Sequence, residues 1–119
     1  MGKRNPPLLE YTDANLEAVT TAILKNLTPD LLPKKWRETN KTNPLYGHCH
    51  TASGCLYRIF GSENLSLYRA VDPYGVYHWW CVDRAGRVID LTAGQYEDGV
   101  AEELHRQGIR QPGMLGFDY

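Results

Sequence analysis

Cys49 stands between two histidines in Gly47-His48-Cys49-His50, and the chain goes on to Tyr77-His78-Trp79-Trp80 and then to Val88-Ile89-Asp90-Leu91-Thr92. Taken in order, these segments offer a nucleophile, a base and an orienting carboxylate. A cysteine at a helix start gains from the positive end of the helix dipole, which favours thiolate over thiol, and a nearby imidazole stabilises that thiolate as an ion pair. An acid on a neighbouring strand can receive the other ring N–H and fix the tautomer. The residues that would carry this chemistry are Cys49, His78 and Asp90.

Such a set needs a helix and at least two strands to hold it. From Cys49 the residues Ala52, Leu56, Ile59 and Phe60 recur at helical spacing, and Gly61 suits the end of the helix, which puts Cys49 at its start with the sulfur toward a sheet. Leu65–Val71 reads as a strand, 72–75 as a turn and Val76–Val82 as a second strand. Asp83-Arg84-Ala85-Gly86 then returns the chain into a third strand, Arg87–Leu91, so that His78 and Asp90 would be cross-strand neighbours. Alternation sets His78 and Trp80 on one face, with Tyr77, Trp79 and Cys81 on the other.

Around this centre, Thr12 or Asp13 can cap a helix running to about Leu27, with Leu16, Val19, Ile23 and Leu27 on one face. Pro29, Pro33 and Pro44 break the next stretch, where Trp36 would anchor a short turn or helix to the core. A late helix is expected from Glu97 through His105, stopped by Gly108 and followed by an irregular tail. His105 sits on a polar helix and is expected to face solvent.

At 119 residues and 42% hydrophobic, the chain suits one globular domain over residues 1–119 with room for one core and one site. A formal net charge of -1 gives no electrostatic footprint for nucleic acid. No apolar run is long enough to cross a bilayer, and the N-terminus lacks the apolar centre of a signal peptide, so a cytoplasmic protein is expected. Three cysteines are an odd number for a disulfide scaffold, and reduced thiols are the simpler reading.

The order of cysteine at a helix start, histidine on a strand and acid on the next strand resembles the papain and transglutaminase-like cysteine superfamily. The run from His78 through Gly86 to Asp90-Leu91-Thr92 looks like the transglutaminase core, and this resemblance implies Asp90 as third member. Small bacterial and phage proteins of the YunG-like kind are closer still. They share a Gly-x-Cys helix start, here Gly47-His48-Cys49, a His-Trp strand, here His78-Trp79-Trp80, and an Ile-Asp-Leu-Thr-x-x-Gln-Tyr ending, here Ile89 to Tyr96. Many of these relatives keep Gln where His48 stands.

The resemblance implies an α+β fold with a papain/transglutaminase-like core: an antiparallel sheet of three or more strands packed against the helix that carries the cysteine. It also implies a thiol-dependent hydrolase or acyltransferase acting on an amide bond of a peptide or protein, as peptidase, amidase or glutamine deamidase, without a cofactor. The alternative is an inactive binding module of the same fold, such as a phage or host-interaction protein. Beyond the three reacting residues, His48, Trp80 and Gln95 are candidates to line the substrate site. His48, Cys49, His50 and His78 also offer donors to a zinc ion, but the paired or helical spacing of common zinc sites is missing, and no metal is expected.

Overall fold

The computed structural model describes residues 6–28, 34 and 47–112. Apart from Lys34, the connection from Pro29 to Tyr46, Trp36 included, lies outside the described residues. Within them the chain forms helix α1 (Asp13–Lys25), helix α2 (Cys49–Phe60), strands β1 (Leu65–Val71), β2 (Tyr77–Asp83) and β3 (Val88–Ile89), helix α3 (Val100–Gln107) and strand β4 (Ile109–Gln111). The four strands make one antiparallel sheet in the order β3-β2-β1-β4, an α+β architecture.

Local chemistry sets most boundaries. Thr12 caps α1, its Oγ1 accepting the Asn15 N–H at 3.1 Å, with Asp13 in the first turn and Lys25 in the last. Asn26 closes the other end by donating its side-chain amide to the Ala22 carbonyl. In α2 the buried residues Cys49, Ala52, Ser53, Leu56, Tyr57 and Phe60 recur at three and four, a stripe that continuous packing on a sheet requires. Gly61 ends that helix at φ +83°, a backbone region that favours glycine.

Both tight turns use one device. Asp72 Oδ1 accepts the N–H groups of Tyr74 and Val76, and Asp83 Oδ1 those of Ala85 and Arg87, in each case folding the chain back through a glycine.

The two faces of the sheet are covered differently. Leu56, Tyr57 and Phe60 of α2 pack with Leu65, Leu67, Trp79, Cys81 and Ile89, and α1 adds Leu16, Val19 and Ile23 from outside. The opposite face holds Ala70 and Trp80 under Leu104 of α3. Helices on both sides explain why His78 through Cys81 are all buried, although neighbouring residues of a strand point to opposite faces.

Two expectations need correction. The strand after the second turn is only Val88–Ile89, not 87–91. Residues 109–111 form a short edge strand paired with Leu67–Arg69 of β1, where an irregular tail is expected; three residues between Gly108 and Pro112 are too few to show alternation. Cys81 is fully buried and its thiol donates to the Ser53 carbonyl at 3.5 Å, whereas Cys55 is only half-buried.

Candidate active site

The short third strand is what builds the site. Its ladder sets Ile89 opposite Cys81 and Val88 opposite Val82. One further step would set Asp90 opposite Trp80, so Asp90 is not the cross-strand neighbour of His78. Instead the chain leaves the sheet at Asp90, and the carboxylate reaches diagonally along β2. The vacated edge beside Tyr77 and His78 receives the start of α2, where the Cys49 thiol donates to the Tyr77 carbonyl at 3.6 Å. A 3-10 turn, Ala93–Gln95, brings Gln95 in from the third side.

His78 is completely buried and contacted at both ring nitrogens. Nε2 is 2.6 Å from Asp90 Oδ2, and the Gln95 amide is 3.3 Å from Nδ1. The Gln95 amide also donates to Thr92 Oγ1 at 3.3 Å. Tyr96 meets the imidazole edge-on, with ring centroids 4.9 Å apart, and its hydroxyl donates to Asp72 Oδ2 at 2.7 Å. Burial alone would disfavour the imidazolium, but hydrogen bonds to Asp90 and Cys49, and the negative charges of both, outweigh it and push the His78 pKa up to about 9. With Asp90 on Nε2, the proton facing the sulfur is the one on Nδ1.

The sequence reading missed one member of this group. His105 does not face solvent: its Nε2 is 2.7 Å from the same Asp90 oxygen, and its side chain is 18% exposed. Its signal lies in α3, since four residues separate it from buried Ala101, which sets it on the inward stripe beside Leu104. Trp80 packs against both imidazoles, 5.6 Å from the His78 ring and 4.9 Å from the His105 ring.

His78, Asp90 and His105 are also the donors that could surround a metal ion, their ligand atoms all within 4.8 Å of one another. Two ligands on a tetrahedral zinc with bonds of about 2.0–2.1 Å stand roughly 3.3 Å apart. Separations of 2.6 and 2.7 Å to one oxygen are those of two imidazole N–H donors on a carboxylate. His48 and His50 are not part of this cluster.

The three substrate-site candidates are all buried. Trp80 is 1% exposed and backs the His78–Asp90 pair, Gln95 contacts His78, and His48 precedes the thiol with both ring nitrogens unpartnered among the described residues. Burial lowers the His48 pKa. His50, in the first turn of α2, lies edge-on to Trp79 at 5.1 Å. A cavity of about 520 Å³ opens between the first tight turn and α3, lined by Val71, Asp72, Val100, Glu103, Leu104 and Gln107 among others. It touches Tyr96 through Asp72, and neither Cys49 nor His78 lines it.

No helix among the described residues is long and apolar enough to cross a membrane. No curated protein and no solved structure matches the chain. The family model described as YunG protein matches residues 14–115, which takes in α1, the site and the sheet from end to end. That match covers most of the sequence, and the chain belongs to the YunG family.

Proposed function

We propose that this protein is a thiol-dependent hydrolase or acyltransferase of the papain and transglutaminase-like type, acting on amide bonds in a peptide or protein through Cys49, His78 and Asp90. The observation that carries the reading is the buried His78, held at Nε2 by Asp90 at 2.6 Å and hydrogen-bonded to the Cys49 side chain as well. A histidine that only filled the core would not need both a carboxylate and a thiol for partners.

In the reaction, the Cys49 thiolate adds to the acyl carbon and the imidazolium of His78 gives its Nδ1 proton to the leaving amine. A thioester remains. Water then attacks it, with His78 as base, to release the acid and restore the thiol; an amine in place of water gives the transferred amide. Asp90 keeps the imidazole aligned and balances its charge throughout. Next to the thiol, Tyr77 is half-exposed and carries the Arg69 guanidinium 3.9 Å over its ring, an aromatic surface suited to a polypeptide chain.

One observation favours the inactive binding module. Cys49 is only 7% exposed, and its thiol donates to the Tyr77 carbonyl and so is turned to the backbone. Iodoacetamide alkylation followed by peptide mapping separates the two readings. For an enzyme, Cys49 is modified well below pH 8.5, the approximate pKa of an ordinary thiol, and this advantage is lost in His78→Ala. A Cys49 that stays inert, or reacts like Cys55 in both proteins, sinks the enzymatic reading.

A further inference from the structure

We propose that His105 is a positioning residue of this site, holding the Asp90 carboxylate from the α3 side so that Oδ2 stays on His78 Nε2. Its consequence at the sulfur rests on the reading of Cys49 as nucleophile; the contact itself does not.

Asp90 Oδ2 is shared between two imidazoles, at 2.6 Å from His78 and 2.7 Å from His105, while Oδ1 has the Thr92 N–H at 3.2 Å. The carboxylate is 3% exposed, so water cannot readily replace a lost donor. Asp90 is also off the sheet, where no ladder hydrogen bond fixes its backbone relative to His78. The clamp therefore has to come from side chains. His105 suits the task because its own position is determined twice, by its place on the buried stripe of α3 and by packing against Trp80.

The groups around the carboxylate divide by element. His78 of β2 and His105 of α3 face Asp90, and Cys49 of α2 and Tyr96 face His78. With Oδ2 accepting from both rings, each must carry its proton on Nε2. Neutral His78 then presents the Nδ1 lone pair to the thiol, which is the form able to take its proton. His105 thus selects the tautomer of a histidine that it does not touch.

Two variants separate the hydrogen bond from packing. His105→Phe keeps a ring against Trp80 but has no donor, and His105→Gln keeps an N–H at similar reach. The His78 titration midpoint is read by nitrogen-15 NMR, and Cys49 alkylation is followed at pH 7. The expected result for His105→Phe is a His78 midpoint lower by about one unit, with alkylation slower by about tenfold, while His105→Gln stays within about threefold of the unsubstituted protein. A folded His105→Phe protein whose His78 midpoint is unchanged or higher overturns the proposal, the higher value meaning that His105 competes for Asp90. If the variant does not fold, the unsubstituted protein decides: neutral His105 must be protonated at Nε2, and the Nδ1 tautomer overturns the proposal. An inert Cys49 would end the enzymatic reading, and the His78 midpoint would still test His105.

Discussion

The two faces of the sheet use burial in opposite ways. On the α2 side, Leu56, Phe60, Leu65, Leu67, Trp79 and Ile89 meet in an apolar cluster that needs no partner atoms and has no preferred direction. On the α3 side, a smaller apolar patch around Trp80 is rimmed by His78, Asp90, Gln95, Thr92, Tyr96 and His105, each buried or half-buried polar group answered by a hydrogen bond. Strand β2 supplies both, one face through Trp79 and Cys81 and the other through His78 and Trp80. The first face removes apolar area from water, and the second spends part of its burial on orienting charge. Cys49 belongs to the first by packing and meets the second through its hydrogen bond to His78.

The largest effect should come from the apolar face. Phe60 is fully buried, and Phe60→Ala should cost about 3–5 kcal/mol, read as a lower urea midpoint with an unchanged m value. The His78 titration in the remaining folded protein should stay where it was. A moved midpoint would mean that the faces are coupled through β2 and do not act separately.

The polar face should reveal itself through pH. His78 has an unfolded pKa near 6.5 and a folded value of about 9, so its charged form contributes stability that is fully present below pH 6.5 and lost as pH rises through 9. The contribution is about 3 kcal/mol. Urea midpoints measured at pH 6.5 and 9.5 should therefore fall, and the fall should be largely absent in His78→Phe. His48 acts on the other side: burial lowers its pKa, so a penalty sets in as pH drops below 6.5. A variant that keeps the full alkaline loss would remove His78 as its source.

A smaller change tests the link through Trp80. A Cβ at Gly108 would run into Cζ2 of that indole, which is buried and cannot swing away. Gly108→Ala should cost about 1–3 kcal/mol and move the NMR signals of both His78 and His105. A cost with neither histidine perturbed would show that Trp80 yields without shifting the rings it touches.

How much of this could be read beforehand differs from residue to residue. Thr12 as a cap, the stripe from Cys49 to Phe60 and the two Asp-to-Gly turns all depend on neighbours within a few positions, and periodicity or turn chemistry reveals them. The pairing of His78 with Asp90 was anticipated as well, but through the wrong geometry: a diagonal reach from beyond the end of β3, not a rung of the ladder. His105 was missed because a helix rich in Glu and Arg looks solvated, and a single inward position is outweighed by its polar neighbours. Strand β4 was missed because its partner, the free edge of β1, lies some forty residues earlier.

The sequence alone determined the α2 stripe that carries Cys49, the alternation that sets His78 apart from Trp79, and the order of thiol, imidazole and acid. These follow from backbone periods and local hydrogen bonding, which the chain carries wherever it is. Only the tertiary structure decided that β3 stops after two residues, that α3 turns His105 onto Asp90, and that His48 is buried with both ring nitrogens unpartnered among the described residues. Those outcomes depend on where separate segments meet and on how little water remains between them, and neither quantity is a property of any one stretch of sequence.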